Sequence, residues 1–449
     1  MTSNVYKEVT LTEILEARER RAERQRELIS GGSSVISFTM NIAGPRKVSP
    51  LIRRAFFEGV RALDEALSPL PVLSREVLEE STGFEAFYAV RHYPEELKKI
   101  CVDIETGTPV GRLFDMDVIN DKGEKLSRDG LRRCIICDAV GLACARSRAH
   151  SVKELWERTE EIITDGLLMK DKKTVGEIAE GALLSEVYTT PKPGLVDLNN
   201  SGSHTDMDVG TFELSAKALR PYLEECFEIG VRTKGDTPNG AFLALRKAGI
   251  EAEKAMYSAT DGVNTHKGAI YSFGIICGSL GRLWEADAPF KSAHEILSTS
   301  ASLVKESAIR DLKASDGSTA GTRLYIEKGI MGIRGEAKDG FPSVKDIALP
   351  RLCSLTEGGM SLTEAGAIAL LHLILSVDDT SLYKRGGDSG IAYAKEYAKR
   401  LTAKERIPTI DELLEMDSEF TKRNLSPGGC ADLLALSYFL YNIENNNKH

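Results

Sequence analysis

GRLFDMDVIN, residues 111–120, has the pattern of a β-strand in which two acids interrupt an apolar run. Side chains alternate between the two faces of a strand, so Asp115 and Asp117 share one face. Phe114, Met116 and Val118 share the other. Two carboxylates this close repel each other, and burying them without a partner costs roughly several kcal/mol per ion. The stretch therefore predicts a strand whose acidic face contacts either water or a cation.

The segments around this strand indicate a mixed α and β unit. Ser49 as N-cap and Pro50 at the first position predict the start of an amphipathic helix over residues 49–67. Three further strands are predicted at residues 32–42, 83–91 and 98–106. Alternation of strands and helices over the first 150 residues is typical of an α/β or α+β fold.

Beyond a boundary near residues 165–175, the pattern becomes almost wholly helical. A long charged helix is predicted over residues 151–188. Apolar residues with the 3.6-residue period continue in residues 241–259, 266–286, 292–314, 362–375 and 411–420. The sequence thus predicts two domains, with mixed structure in residues 1–168 and a nearly all-α fold in residues 169–449.

Composition excludes several classes of function. The chain has 449 residues and a formal net charge of −9, which argues against a general binder of nucleic acid or of anionic membranes. No apolar run reaches the ~20 residues that span a bilayer, and the N-terminus reads as a charged helix rather than a signal peptide. Eight cysteines without a secretion signal are typical of a reducing cytosol. We therefore expect a cytoplasmic protein.

The two acids of residues 111–120 are interpreted either as metal ligands or as ordinary surface residues. Mg²⁺ takes one or two protein carboxylates together with phosphate oxygens, which would suit Asp115 and Asp117. The alternative is a solvated sheet face with two chance acids. Nearby arginines favour the metal, because guanidinium groups bind phosphate in a bidentate manner. These arginines are Arg112, Arg128, Arg132, Arg133, Arg146 and Arg148.

A cluster of cysteines follows in the pattern C-x2-C-x6-C-x5-H. Its members are Cys134, Cys137, Cys144 and His150. Three cysteines and one histidine can close a tetrahedral zinc site, although the second pair lacks the usual C-x2-C or H-x3-H spacing. The alternative is a small buried cysteine cluster beside the arginines. A structural Zn²⁺ is one hypothesis for this segment.

Five pieces of the first domain carry a family resemblance. In order and spacing, SFTMNIAGPRK, GRLFDMDV, the pair Ser127–Arg128, RRCIIC and CAR resemble the enzyme that attaches the prosthetic group to the acyl carrier subunit of citrate lyase. The resemblance implies a nucleotidyltransferase-like domain that transfers phosphoribosyl-dephospho-CoA to a carrier serine and releases pyrophosphate. It also implies that Asp115 and Asp117 hold Mg²⁺. The residues implied to bind the triphosphate are Arg46, Lys47, Arg112 and Arg128.

Polar loops interrupt the helices of the second domain. Residues 189–208 contain two prolines and scattered glycines, so they cannot be helical throughout, and an irregular segment of that length is usually functional or disordered. Similar loops lie at residues 258–274 and 332–343, and near the C-terminus. Together they predict a pocket for a nucleoside triphosphate with Mg²⁺, and the alternative is ordinary surface loops.

These loops also resemble a family. TPKPGLVD-x2-N-x-G-x-H-x-DM, GVNTHKGA, GxRGEA-x2-GFP and SPGGxAD resemble the triphosphoribosyl-dephospho-CoA synthases, which join ribose C1 of ATP to a ribose hydroxyl of dephospho-CoA and expel adenine. The implied general base is Asp206 or His204, with Asp261 and His266 in reserve. The implied Mg²⁺ ligands are Asp378, Asp379 and Asp432. The implied substrate-binding residues are Lys192, Asp197, Asn200, Lys267, Arg334, Glu336 and Ser426.

The two resemblances together predict a bifunctional enzyme. The second domain would make the activated prosthetic group from ATP and 3'-dephospho-CoA, and the first would attach it to the apo acyl carrier (gamma) subunit of citrate lyase. Three alternatives stay open: the equivalent system of malonate decarboxylase, a nucleotide hydrolase, and a non-catalytic assembly factor for the lyase. The cysteine cluster and the fusion favour the citrate lyase version over the malonate decarboxylase one.

Overall fold

The computed structural model describes residues 8–29, 33–128, 130–137, 139–313, 320–403 and 406–447. It divides the chain into two compact units between Lys170 and Asp171, with residues 286–288 assigned to the first unit. The division falls inside one long helix, Val152–Tyr188.

A four-stranded antiparallel sheet forms the centre of the first unit. Its strands are β1 (Ser34–Met40), β2 (Val72–Glu80), β3 (Gly83–Val90) and β4 (Phe114–Ile119). They lie in the order β2-β3-β1-β4, so β4 is at an edge. The helices are α1 (Leu11–Leu28), α2 (Pro50–Leu67), α3 (Pro94–Gly107), α4 (Gly141–Ser147) and the first part of α5 (Val152–Tyr188). The predicted mixture of α and β structure is confirmed.

The sheet has an apolar face and a polar face. Phe38 of β1 stacks on Phe56 of α2 with ring centroids 4.8 Å apart, and Phe114 of β4 meets Phe38 edge-on at 5.1 Å. Phe38 and Phe56 are fully buried, and each contributes about 1.5–3 kcal/mol by leaving water. On the opposite face, the Gln25 amide of α1 donates to the Ser37 hydroxyl at 2.9 Å. The acids of β4 share this polar face.

The predicted strand over residues 98–106 is wrong, because these residues lie in α3. This helix has Pro94 at its first position and buries Leu97, Cys101 and Glu105, which are spaced four residues apart. The β-branched residues of the segment suit strands and suggested the error. The fourth strand is instead β2, whose mostly exposed side chains lack a clear apolar alternation.

α3 and Arg132 protect the open edge of β4. The Lys98 ammonium donates to the Met116 carbonyl at 3.0 Å, and the Glu105 carboxylate accepts the Met116 N–H at 2.8 Å. Arg132 donates to the Phe114 carbonyl at 2.7 Å. Unpaired peptide groups on an edge strand invite pairing with another chain, so these side chains keep the edge from aggregating. They also bring charged groups next to Asp115.

The second unit is almost entirely α-helical, as predicted. Besides the end of α5 and a short π-helical turn at Val344–Ala348, it contains α6 (Val209–Arg232), α7 (Pro238–Ala259), α8 (Lys267–Leu283), α9 (Ala293–Lys313), α10 (Ala320–Lys328), α11 (Gly332–Lys338), α12 (Leu349–Glu357), α13 (Leu362–Ser376), α14 (Thr380–Thr402), α15 (Ile410–Lys422) and α16 (Gly428–Asn446). No single described helix is long and apolar enough to cross a membrane, and α13 with α14, bent by 59°, meets the criteria only as a pair.

α8 lies at the centre of the second unit and packs closely on its neighbours. A Cβ at Gly281 would lie 2.0 Å from the Phe227 carbonyl oxygen of α6, so only glycine permits this approach. Phe273 of α8 contacts Phe439 of α16 with ring centroids 5.7 Å apart. These contacts hold α8 within the unit, and the predicted site residues His266 and Lys267 lie at its start.

Candidate functional sites

Asp115 and Asp117 both face cations on the polar side of β4. The Asp115 carboxylate lies 3.3 Å from Arg132, and Asp117 pairs with Lys125. Their side chains remain 45% and 23% exposed, whereas the alternate residues of the strand are buried. The predicted alternation is therefore confirmed. The acidic face therefore contacts both water and the cationic side chains of Arg132 and Lys125, within the two possibilities that the sequence pattern predicted.

Glu105 anchors the arginines beside this strand, and it was not predicted from the sequence. Its carboxylate is 2% exposed, and its oxygens lie 2.8 Å from Arg132 and 3.2 Å from Arg128. A buried carboxylate needs such partners, since leaving it unpaired costs roughly several kcal/mol. Recognising residues 94–107 as a helix would have placed Glu105 on its buried side.

The other residues expected to bind the triphosphate lie in separate surroundings. Arg112 donates to the Cys134 carbonyl at 2.9 Å. Arg46 is exposed and lies 3.3 Å from Glu8. Lys47 donates to a backbone carbonyl at 2.5 Å, and burial, followed by a nearby arginine, lowers its pKa. Arg128 contacts the Glu105 carboxylate, which also binds Arg132 beside Asp115.

A cavity of about 240 Å³ opens beside Asp117. It is lined by Ala22, Gln25, Arg26, Ile29, Asp117, Ile119, Gly123 and Lys125. One carboxylate and two basic groups in one cavity suit a phosphate together with a divalent cation.

The four predicted zinc ligands converge in the first unit. One ligand atom each of Cys134, Cys137, Cys144 and His150 lies within 4.8 Å of the other three. The Cys137 and Cys144 sulfurs are 3.4 Å apart, and His150 Nε2 is 3.2 Å from Cys137 Sγ. A backbone hydrogen bond from Ala139, followed by the bond to His150, lowers the pKa of the Cys137 thiol to about 6. Among the described residues, no other group of three or more potential ligands is as close together.

The second unit contains a polar cavity of about 320 Å³. Seven predicted residues line it: Lys192, His204, Asp206, His266, Lys267, Ser426 and Asp432. The structure adds Glu186, Lys384 and Arg385 to its walls. Glu186 escaped prediction because it lies inside α5, whereas the sequence pattern pointed to the irregular loops. The cavity thus combines four basic side chains with three acids and two histidines.

Asp197 and Asn200 shape the loop of residues 189–208 and do not line the cavity. The Asp197 carboxylate accepts the N–H groups of Lys192 at 2.9 Å and of Asn200 at 3.0 Å. The Asn200 amide donates to Asp417 at 2.8 Å, and Asp417 also accepts the N–H of Gly194 at 2.8 Å. These bonds satisfy the backbone of an irregular segment and fix the position of Lys192.

Five further predicted residues also lie outside the cavity lining: Asp261, Arg334, Glu336, Asp378 and Asp379. Asp379 accepts three backbone N–H groups and caps the start of α14. Asp378 pairs with Lys395 at 2.7 Å, and Glu336 accepts from Ser343 at 2.7 Å. Three backbone N–H groups already occupy the Asp379 carboxylate, and among the described residues Asp378, Asp379 and Asp432 do not form a group of closely spaced ligand atoms.

Lys192 and Glu186 form a buried ion pair in the cavity wall. Lys192 Nζ lies 2.5 Å from Glu186 Oε1, with the two side chains 2% and 7% exposed. Burial, and next the charge of Glu186, raises the pKa of Asp432 well above its usual range. The negative charge of Asp432 is therefore poorly compensated beside Glu186, and a bound cation would stabilise it.

Gly268, at the start of α8, makes room for Asp432. A Cβ at this position would lie 1.9 Å from Asp432 Oδ2. The glycine of GVNTHKGA and the aspartate of SPGGxAD thus meet in space, although they are 164 positions apart in sequence.

His204 is held by two hydrogen bonds. The Arg385 guanidinium donates to Nδ1 at 3.2 Å, so the ring proton resides on Nε2, which donates to the Ser426 hydroxyl at 2.9 Å. Burial, then the charge of Arg385, lowers the pKa of His204. Asp206 lies 4.0 Å from His204 Nδ1 and its side chain is 62% exposed. Of the two preferred bases, Asp206 has the accessible acceptor atoms.

His266 presents an unpartnered nitrogen in the wall of the cavity. The Thr265 hydroxyl donates to Ser215 Oγ at 2.7 Å, and Ser215 Oγ lies 2.7 Å from His266 Nδ1, to which we assign the Ser215 proton. The ring proton is thereby assigned to Nε2, which is buried and has no hydrogen-bond partner. Burial, followed by the charge of Lys192, lowers the pKa of His266 to about 3. The imidazole is neutral, and its Nε2–H is a donor that lacks an acceptor.

Comparisons with known proteins match both units. A family model described as apo-citrate lyase phosphoribosyl-dephospho-CoA transferase matches residues 9–166, and one described as ATP:dephospho-CoA triphosphoribosyl transferase matches residues 172–449. Protein CitXG of Haemophilus influenzae is 33% identical over 98% of this chain and 97% of its own length. Protein CitXG of Leuconostoc mesenteroides subsp. cremoris is 32% identical over 96% and 97%. A 2-(5''-triphosphoribosyl)-3'-dephosphocoenzyme-A synthase of Haemophilus ducreyi is 38% identical over 69% of this chain and 99% of its own length.

Proposed function

We propose residue roles for a chain that belongs to the family of the CitXG proteins. The chain is a bifunctional enzyme that makes the prosthetic group of citrate lyase from ATP and dephospho-CoA and attaches it to the apo-lyase. We assign the synthesis to the helical second unit and the attachment to the first unit, which we take to be nucleotidyltransferase-like.

The synthesis exchanges one bond at ribose C1 of ATP for another. The bond from C1 to adenine breaks, and adenine leaves with the bonding electrons and takes up one proton. A ribose hydroxyl oxygen of dephospho-CoA forms the new bond to C1 and loses its proton. The transition state is positive at C1, negative on the departing base and partly deprotonated at the hydroxyl. A catalytic cavity therefore needs a donor for the base, an acceptor for the proton and cations for the triphosphate.

The orphaned Nε2–H of His266 is the observation that best supports this reaction. A buried donor without a partner is unfavourable by about 1–3 kcal/mol, and an acceptor on the substrate removes that penalty. A ring nitrogen of adenine gains negative charge as its bond to C1 breaks. We infer that His266 donates to that nitrogen as a neutral imidazole, because the bond from Ser215 fixes the required tautomer.

The other groups of the cavity follow from their charge and exposure. Lys384 and Arg385 offer cations to the triphosphate, and Lys192 adds a third from the buried pair. Asp206, exposed at the cavity, is the general base that accepts the hydroxyl proton.

Mg²⁺ commonly accompanies a triphosphate, and the acids of the cavity fit this ion. Glu186 and Asp432 are two carboxylates whose mutual repulsion a divalent cation would relieve. We propose them as its ligands in place of Asp378 and Asp379. The ion would neutralise phosphate charge.

In the first unit we propose that Asp115 and Asp117 hold Mg²⁺ and that Arg128 and Arg132 bind phosphate. The support is the convergence of both arginines on Glu105, next to Asp115. The reaction joins a carrier serine oxygen to the α-phosphorus of the triphosphoribosyl group and expels pyrophosphate. Arginines aligned by a buried acid can stabilise the charge of that leaving group.

One incubation tests both activities. The purified chain is mixed with ATP, Mg²⁺, dephospho-CoA and the apo acyl carrier subunit of citrate lyase, and the intact mass of the carrier is measured. We expect a gain equal to phosphoribosyl-dephospho-CoA, with adenine and pyrophosphate released in equal amounts. Adenine release without dephospho-CoA would support a nucleotide hydrolase. Modification of only a malonate decarboxylase carrier would reassign the partner. No product at all would support a non-catalytic assembly factor.

Gly268→Ala should slow adenine release by at least about tenfold, because the new methyl group would displace the Asp432 carboxylate from the cavity. The matched control is Gly181→Ala in α5, where a Cβ meets no atom within 4 Å. That control should keep full activity and gain roughly 1 kcal/mol of helix stability. Initial rates and thermal unfolding of both variants provide the measurement. Equal rates for the two variants would show that Asp432 has no part in the synthesis.

A further inference from the structure

We propose that Cys134, Cys137, Cys144 and His150 bind one Zn²⁺ ion, and that this ion holds the arginines of the first unit against β4. The existence of the zinc site rests on its own geometry. Its effect on the arginines rests on the transferase function proposed above, and the experiment below separates the two.

The four ligand atoms are spaced as a tetrahedral zinc site requires. Zn–S distances of about 2.3 Å and Zn–N distances of about 2.0 Å place neighbouring ligand atoms roughly 3.5–3.8 Å apart. Two of the separations, 3.4 Å from Cys137 Sγ to Cys144 Sγ and 3.2 Å from His150 Nε2 to Cys137 Sγ, lie close to that spacing, and all four ligand atoms lie within 4.8 Å of one another. Three sulfurs and an imidazole favour zinc over magnesium, which prefers oxygen ligands. Four protein ligands leave no open position, as in structural zinc sites.

The backbone around the first two cysteines is arranged to support thiolates. The Ile136 N–H donates to Cys134 Sγ at 3.5 Å, and the Ala139 backbone donates to the Cys137 sulfur. The Cys134 N–H bonds the Ala139 carbonyl at 2.6 Å and closes the turn. Donors aimed at the ligand sulfurs are the supporting contacts that stabilise metal thiolates.

Hydrophobic packing does not account for the order of this segment. Among the described residues between β4 and α5, the one α-helix, α4 (Gly141–Ser147), has no buried residue. Cys137 is exposed and Cys144 is only partly buried. A segment with so little apolar burial needs another source of stability, and a metal bound by four side chains supplies one.

The same segment positions the proposed phosphate ligands. Arg132 lies two residues before Cys134 and reaches both Glu105 and Asp115. The Cys134 carbonyl accepts from Arg112 at 2.9 Å. Loss of the metal would free the segment that carries the cysteines, and Arg132 would lose its position next to Glu105 and Asp115. The zinc ion is therefore a positioning element for the transfer reaction and takes no part in the chemistry.

Metal analysis of the full-length chain tests the site directly. We expect one zinc per chain by inductively coupled plasma mass spectrometry, and none in Cys137→Ser or Cys144→Ser. Cys353→Ser, which changes a partly buried cysteine of the second unit, is the matched control and should retain the metal. Replacement by Co²⁺ should produce the absorption bands of tetrahedral cobalt with thiolate ligands. A wild-type chain without zinc that also fails to take up Co²⁺ would overturn the proposal.

Measurements of carrier loading and adenine release distinguish the existence of the zinc site from its effect on the arginines. With preformed triphosphoribosyl-dephospho-CoA, we expect Cys137→Ser to load the carrier at least about tenfold more slowly, while adenine release stays unchanged. Zinc in the wild type with unaltered loading by the metal-free variant would overturn the positioning role. Zinc in a wild type that loads no carrier would instead refute the transferase function and leave the metal site standing.

Discussion

Asp115→Asn should reduce transfer to the carrier by at least about 10²-fold while adenine release from ATP continues at the wild-type rate. The amide has the shape of the carboxylate but lacks the negative charge that a Mg²⁺ ligand needs. Asp115 is 45% exposed, and its ion pair with Arg132 is worth about 1 kcal/mol or less at such a site. A large loss of rate in a stable protein would therefore report on chemistry and not on folding.

The transfer step is best measured alone, with preformed triphosphoribosyl-dephospho-CoA and the mass of the carrier followed over time. Asp103→Asn, which alters an exposed acid of α3, is the matched control and should load the carrier normally. A ligand role also predicts that Asp115→Asn requires more Mg²⁺ for half-maximal rate. Full activity of Asp115→Asn would mean that the acidic face of β4 is an ordinary solvated surface stabilised by Arg132 and Lys125.

The strand in residues 111–120 could be predicted in detail because the alternation of side chains on a strand is a local rule. The side chains that contact this strand could not be predicted in the same way. Glu105 belongs to a helix whose β-branched residues resemble a strand, and its contacts with Arg128 and Arg132 span more than twenty residues. Pairing across that distance depends on how α3 packs along β4, which residue spacing alone does not determine.

The polar loops of the second unit allowed several residues of the cavity to be predicted from the sequence. Lys192, His204, His266 and Ser426 could be predicted because irregular polar segments inside a helical unit are rarely without function. The chemical roles of these residues could not be predicted, because a role depends on the contacts of each side chain in the folded protein. The carboxylate of Asp379 accepts N–H groups at the starts of α14 and α16, although the sequence pattern equally suits a metal ligand. Glu186 stayed hidden because an acid inside a helix usually faces solvent.

Removal of the His266 imidazole should have the second large effect, on the rate of adenine release. His266→Ala should lower the rate of adenine release by about 10²–10³-fold, which is typical when a donor to a developing charge is removed. Carrier loading from preformed triphosphoribosyl-dephospho-CoA should be unchanged. His294→Ala, at an exposed position of α9, is the matched control. Because the pKa of His266 is about 3, wild-type synthesis should show no loss attributable to this residue as the pH falls from 8 to 5.

His266→Gln distinguishes a donor from a general base. The amide N–H of glutamine can reach the position of Nε2 and donate to adenine, but an amide cannot accept a proton at neutral pH. A neutral donor therefore predicts partial recovery in His266→Gln relative to His266→Ala, whereas a base predicts that both variants fail equally. Ser215→Ala adds a second discriminating result: it removes the bond that fixes the tautomer, so it should lower kcat with little change in the KM for ATP. Equal loss in the glutamine and alanine variants, together with a decline in wild-type rate near pH 6.5, would return His266 to the role of a base and leave the departing adenine without a donor from this side chain.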